Sequence, residues 1–152
     1  MKIKVKILDE RLKGEFALPD YQTCMSAGMD LRAMVDEEIT LNPGSVVMVN
    51  SGIAMHIADP DVTALIVTRS GIGYKHGIVL SNLVGVIDAD YQGPLMMPIW
   101  NHSDKPYVIH PGDRIAQMLF VPVLHPSFEV CDDFEDKTER GEGGFGSTGR
   151  HH

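Results

Sequence analysis

The sequence predicts an all-β fold, a barrel or jelly roll. A single domain over residues 1–138 is followed by a flexible Gly-rich arm over 139–152. Three observations carry this. Short apolar runs rich in β-branched residues recur along the chain, separated by turns of Gly, Pro, Asn and Asp. No long stretch repeats its apolar residues at the helical period. After residue 139 the composition shifts abruptly to glycine, as in mobile tails. Neither an internal repeat nor an inter-domain linker is visible.

The bounds agree. A chain of 152 residues is long enough for one domain with a core. A hydrophobic content of 43% and a mean hydropathy of −0.04 fit a folded chain and exclude a disordered one. No apolar run approaches the length of a membrane span. The N-terminus alternates lysines with β-branched residues where a secretory signal needs a continuous apolar block, so a cytoplasmic location is expected. Cys24 and Cys131 are too few for a disulfide framework and lack metal-ligand spacing; free thiols in a reducing compartment are expected. Lys and Arg total 13 against 21 Asp and Glu, a net charge of −8. That field disfavours nucleic-acid duplexes. A small anion needs local arginines and backbone N–H groups, and a polyphosphate also a divalent metal.

Residues 2–8 set Ile3, Val5 and Ile7 on one face and lysines on the other, a half-buried strand whose lysines discourage edge pairing. A loop through Pro19 leads to Ser26-Ala27-Gly28-Met29-Asp30-Leu31-Arg32-Ala33. Here small residues feed an acid and an arginine into an apolar run. Asp30 is either aimed at a site or merely paired and solvated. Residues 39–41 and 46–49 read as short strands around an Asn42-Pro43-Gly44 turn, and 53–57 as a further strand. Asp59-Pro60-Asp61 interrupts, and 62–67 resumes apolar. Thr68-Arg69-Ser70-Gly71-Ile72-Gly73 then reads as a turn. Planar donors, a hydroxyl and free glycine amides make it an anion cradle, or else an ordinary turn with an exposed arginine. Residues 78–80 form a strand, after which Asn82 caps a turn or reads an amide edge.

Residues 85–93 read Gly-Val-Ile-Asp-Ala-Asp-Tyr-Gln-Gly. Apolar runs at 83–87 and 95–100 lead in and out, the pattern of a β-hairpin with a chemically loaded tip. Asp88 directly follows the first run, so its carboxylate sits at a strand end. Tyr91 projects from the turn, and a glycine on each side lets another molecule approach the backbone. A solvated acidic hairpin fits the same pattern. Residues 101–106 read as a polar loop, 107–109 as a strand, and Pro111-Gly112-Asp113-Arg114 as a turn. The last run, 115–123, holds Gln117, which needs a partner if buried, structural or ligand. His56, His76, His102, His110, His125, His151 and His152 show no metal spacing and are read as structural or surface, with no role for the last two.

The arm contains a literal G-x-G-x-x-G at 141–146, but no strand precedes it and no helix has room to follow. Ser147 stands where a phosphate loop needs lysine. Phe145 between Arg140 and Arg150 suits a nucleotide: charges meet phosphates and the ring stacks on a base. A lid that orders on binding and a frayed terminus are the two readings.

Taken in order, these motifs closely resemble the trimeric, bacterial-type deoxyuridine triphosphate nucleotidohydrolases (dUTPases) over nearly the whole chain. The motifs are residues 27–33, Arg69-Ser70-Gly71, residues 85–93, residues 111–117 and residues 140–149. Two departures stand out. Thr68 occupies a position where the family usually has proline, which leaves the cradle looser, and Cys24-Met25 is unusual before Ser-Ala-Gly. The resemblance implies a jelly-roll-like, distorted β-barrel subunit. It also implies a homotrimer with three sites, each shared between chains, the arm crossing to a neighbour.

The implied reaction is dUTP plus water giving dUMP and pyrophosphate with Mg2+, which removes dUTP and supplies dUMP for thymidylate synthesis. By the same resemblance Asp88 is the general base on the attacking water, and Asp30 reaches Mg2+ through a water. Arg69, Ser70, Gly71 and Gln117 hold phosphates. Asn82, Val86, Ile87 and Met96 line the base pocket, and Tyr91 lies under the deoxyribose. Phe145 stacks on uracil, while Arg140, Gly146, Ser147 and Thr148 close on the terminal phosphates. A dCTP deaminase of the same fold would want a glutamate acting on the base; Asp88, Tyr91 and Phe145 argue against it. A non-catalytic nucleotide-sensing jelly roll would not need both Asp88 and Asp30.

Overall fold

Side-chain alternation decides the layers. In the computed structural model, which describes residues 1–149, strand β8 (Pro94–Asn101) buries Leu95, Met97, Ile99 and Asn101 and turns Pro94, Met96, Pro98 and Trp100 outward. Arg150 and His151-His152 lie outside the described residues. The other strands are β1 (Lys4–Ile7), β2 (Met29–Arg32), β3 (Ile39–Leu41), β4 (Val46–His56), β5 (Val62–Thr68), β6 (Ile78–Leu80), β7 (Gly85–Ile87), β9 (Tyr107–Ile109) and β10 (Arg114–Pro122). They form two four-stranded antiparallel sheets, ordered β1-β4-β8-β6 and β2-β10-β5-β7, and a β3-β9 pair. Leu95, Met97 and Ile99 of the first sheet and Ala64, Ile66 and Met118 of the second join one apolar core. The expected all-β, jelly-roll-like class is what folds. Both cysteines are free and exposed. No helix among the described residues is long and apolar enough to cross a membrane.

Four expectations are corrected. First, residues 46–49 and 53–57 are not separate strands; β4 runs through both. The polar Asn50-Ser51-Gly52 that reads as a break is a bulge where the register to β8 shifts. Gly52 takes φ +79° there, and a Cβ would meet Leu12 and Met34 at 2.9 Å.

Second, Ser70–His76 is a short helix, α1, and not a turn. Gly77 ends it in the left-handed conformation, and Lys75 and His76 lie in its last turn, where the helix dipole favours cations. Seven residues containing two glycines are too few to display a helical period.

Third, Asn101 is not part of a polar loop but the fully buried end of β8. Its amide donates to Leu41 O at 2.9 Å and Lys105 O at 2.7 Å, and its Oδ1 accepts from Ser103 N at 2.9 Å, so burial leaves it satisfied.

Fourth, the runs either side of residues 88–93 do not pair as a hairpin. Both edges of β8 are taken, by β4 and β6, so β7 pairs with β5 in the other sheet. The 88–93 loop therefore crosses from one sheet to the other. It is pinned by Ala58 N–H donating to Ala89 O at 2.9 Å and by Thr63 Oγ1 donating to Ile87 O at 2.7 Å.

Candidate active site

The candidate residues fall into two groups. The first gathers where β2, β10 and β5 lie side by side. Asp30 on β2 sits opposite Gln117 on β10, which sits opposite Val67 on β5. The Asp30 side chain is 16% exposed; its Oδ1 lies 2.8 Å from Arg69 Nε and its Oδ2 3.4 Å from Arg114 Nη1. Arg69 Nη1 also donates to Arg114 O at 2.8 Å. Asp30 therefore holds two arginines in fixed orientation, an ion pair with a positioning consequence. Gln117 Nε2 donates to Thr68 O at 3.1 Å, so the embedded glutamine is satisfied through one end. Its Oε1 would lie 2.8 Å from a Cβ on Gly28, so a side chain there would push the glutamine end aside. Ser70 and Gly71 open α1, whose first-turn N–H groups have no acceptor within the helix. Arg69, Gly71, Lys75, His76 and Arg114 line a trough of about 360 Å³ beside them. Tyr107 lines it too; burial, helped by the Asp113 carboxylate, raises its phenol above the ordinary value and keeps it neutral. In a chain of net charge −8 the trough gathers Arg69, Lys75 and Arg114 against two carboxylates, Asp113 in its lining and Asp30 beside it, a local excess of cations.

Sequence reasoning singled out Arg69, Ser70, Gly71, Gln117 and Asp30 but missed Arg114 as a member of this group. Strand alternation sets residues 114 and 117 on opposite faces. A bulge between Arg114 and Ala116 shifts that parity, and bulges leave no dependable sequence mark. Thr68, read as loosening this turn, makes a tie of its own: its hydroxyl accepts the Leu80 N–H at 3.2 Å.

The second group surrounds a slot of about 240 Å³ lined by Val86, Ile87, Asp88, Tyr91, Leu95 and Met96. Asp88 follows the last residue of β7, exposed, and its carbonyl accepts the Tyr91 N–H at 3.1 Å. The Tyr91 hydroxyl donates to Pro94 O at 2.9 Å, which folds the ring over Gly93. A Cβ on Gly93 would fall 2.5 Å from that hydroxyl oxygen, so the second glycine of the motif is there for the tyrosine. Asn82 sits exposed in the turn before β7, outside the residues lining the slot.

The two groups are not brought together within one chain. Ile87 pairs with Ala64 near the start of β5, whereas Arg69 follows its end. Those five residues of strand separate Asp88 from the arginine cluster by roughly 17 Å at ~3.3 Å per residue. The described hydrogen bonds of the arm reach neither group. Arg140 Nε donates to Gly143 O at 2.8 Å and Ser147 N–H to Gly144 O at 3.1 Å, both inside the arm. Phe145, Gly146, Ser147 and Thr148 are exposed and line neither cavity.

Among the described residues no three His, Cys, Asp or Glu side chains are placed to hold a metal ion. Both Asp30 oxygens face guanidinium groups, so this carboxylate is already neutralised, and a hydrated cation would meet it only through water and with phosphate ligands of its own. The residues present fit Mg2+ in that form.

A family model described as dUTPase matches residues 14–149. The chain is 57% identical over 147 residues to a deoxyuridine 5'-triphosphate nucleotidohydrolase of Shewanella baltica (strain OS185), covering 97% of this chain and 96% of that protein. It is 58% identical over 148 residues to the protein of that name from Haemophilus ducreyi, with 97% of each covered. The Staphylococcus bacteriophage 80alpha dUTPase with dUPNHPP superposes with a TM-score of 0.84 at 28% identity, over 98% of this chain and 99% of that one. A dUTPase mutant from phage phi11 of S. aureus, described with a structural Mg(II) ion, shares the fold at 23% identity and a TM-score of 0.76, over 90% and 100% of the two chains. With the model matching nearly the whole chain and relatives this similar, the chain belongs to the dUTPase family.

Proposed function

We propose that this protein hydrolyses dUTP to dUMP and pyrophosphate in the cytoplasm, as a homotrimer whose sites are completed between chains. The observation that carries the shared site is the separation of the slot from the arginine cluster along β5. A base-sized slot beside an exposed carboxylate, and a cationic trough with nothing to hold a base, are complementary halves. A second copy brings one to the other. Leu124, Phe128, Val130 and Phe134 support association, being large apolar side chains left exposed on the segment before the arm.

In this reading uracil enters the slot against the backbone of Val86 and Ile87, with Asn82 and Met96 at its edges. Backbone groups paired to uracil are left mismatched by cytosine, a stronger discrimination than shape gives; the narrow slot excludes the thymine methyl by clash. Tyr91, locked over Gly93, packs under the deoxyribose and leaves no room for a 2′-hydroxyl. Arg69, Ser70, Gly71 and Gln117 of a neighbouring chain hold the phosphate chain. Asp88 orients a water in line with the α-phosphorus and takes its proton as the new P–O bond forms and the bond to the bridging oxygen breaks. Phe145 covers the base, and Arg140, Gly146, Ser147 and Thr148 close on the terminal phosphates. Asp30 would hold Mg2+ through a water, and the ion would supply neutralisation of phosphate charge.

The test is pyrophosphate release from dUTP, dCTP and dTTP, with Mg2+ and after its chelation. The reading predicts release from dUTP alone and a large loss on chelation. Ammonia from dCTP would replace it with a deaminase, and tight dUTP binding without any product would replace it with a sensor.

A further inference from the structure

We infer that Thr68 is a positioning residue that sets the phosphate-holding group through its hydroxyl; this rests on the hydrolase reading above. Thr68 is the last residue of β5, directly before Arg69, and three contacts converge on it. The Leu80 N–H donates to its Oγ1 at 3.2 Å. Gln117 Nε2 donates to its carbonyl at 3.1 Å. Its methyl faces α1, where a Cβ on Gly73 would come within 2.8 Å of Cγ2.

The first contact joins the two sheets. β6 is the edge strand of its sheet, with β8 on one side only. Leu80 is 1% exposed, so its outward N–H has neither a further strand nor water to pair with. The Thr68 hydroxyl takes that place and ties the end of β5 to β6. A branched Cβ couples the hydroxyl and the methyl through one χ1 angle. Leu80 on one side and the Gly73 face of α1 on the other therefore fix the rotamer, and with it the backbone at 68–69. That backbone decides the direction in which Arg69 leaves the strand and the place of the carbonyl that holds Gln117. The slot lies at the other end of β5 and is held by its own ties, Thr63 Oγ1 to Ile87 O and Tyr91 to Pro94 O. Loss of the hydroxyl should weaken recognition of the triphosphate chain and spare recognition of the nucleoside.

The experiment compares the full-length protein with Thr68→Val, Thr68→Ser and Gly73→Ala. It reads KM and kcat for dUTP, affinities for dUPNHPP and dUMP, and thermal stability. Thr68→Val is expected to raise KM and weaken dUPNHPP about fivefold to tenfold while dUMP affinity changes less than about twofold. Thr68→Ser, which keeps the hydroxyl but loses the methyl, should recover most of the loss and fall between Thr68→Val and wild type. Gly73→Ala pushes on the same methyl from the helix side and should shift dUPNHPP and dUMP apart in the same way. Alanine is favoured over glycine in a helix, so this variant keeps the test decisive should Thr68→Val not fold. An unchanged ratio of dUPNHPP to dUMP affinity in a folded Thr68→Val, or in Gly73→Ala should Thr68→Val not fold, overturns the proposal. So does a Thr68→Ser protein as impaired as Thr68→Val. A wild-type protein that releases no pyrophosphate from dUTP overturns the hydrolase reading and this inference with it.

Discussion

Asp88→Asn is expected to lower dUTP turnover at least ~100-fold while dUPNHPP still binds near wild-type affinity. Asp88 stands one residue past β7, on a loop pinned to the body by the Ala58-to-Ala89 hydrogen bond and closed by the Tyr91-to-Asp88 turn. An amide of the same size keeps those backbone contacts and the walls of the slot. It loses the ability to accept a proton and aims an NH₂ or a weaker acceptor at the water. Binding and turnover should therefore separate, which single-turnover measurements against dUPNHPP titration can read. Near-normal turnover would remove Asp88 from its role; a parallel loss of binding would make it a structural residue of the slot.

Ending the chain at Glu139 is expected to cost a similar factor, about 100-fold in turnover, with little change in melting temperature. The described hydrogen bonds of Arg140, Gly143 and Ser147 close within the arm, so none of these three ties it to the sheets. Phe145 is fully exposed, a large aromatic with no packing role in the free chain. Turns at 138–141, 140–143 and 144–147 give the arm local shape, while its glycines leave it free to rearrange. Unchanged hydrolysis by the truncated protein would reduce the arm to a tail. A lower melting temperature would mean that it braces the body.

What the sequence made legible follows from period and position. The short apolar runs became strand in whole or, as at 83–87, in part, because alternation such as that of β8 fixes which side chains face the core. Asp88 was placed correctly at a strand end because a run of β-branched residues stops abruptly before it. Asn101 and α1 read as loop or turn, and Asn50–Gly52 falls between two strand readings, for a shared reason. Polar and glycine residues inside regular structure look like punctuation unless their partners are known, and those partners lie far along the chain, as with Leu41 for Asn101. The misassigned hairpin has another cause. Local pattern predicts that neighbouring strands pair, but edge availability decides, and only the assembled sheets show that β8 has none free. The separation of Asp88 from Arg69 needed the β5-to-β7 register, which no run of residues encodes.

Complementation between two defective chains tests the shared site most directly. Asp88→Asn damages the slot half, and Gln117→Ala the arginine-cluster half. Each is measured alone, then the two are co-expressed in equal amounts and the mixed assemblies assayed for pyrophosphate release. If each site takes its slot from one chain and its arginine cluster from another, random mixing makes about a quarter of the sites intact, and activity should rise to about that fraction of wild type. Activity that stays at the level of the single variants would mean both halves come from the same chain, and the account of a site completed between copies would be wrong.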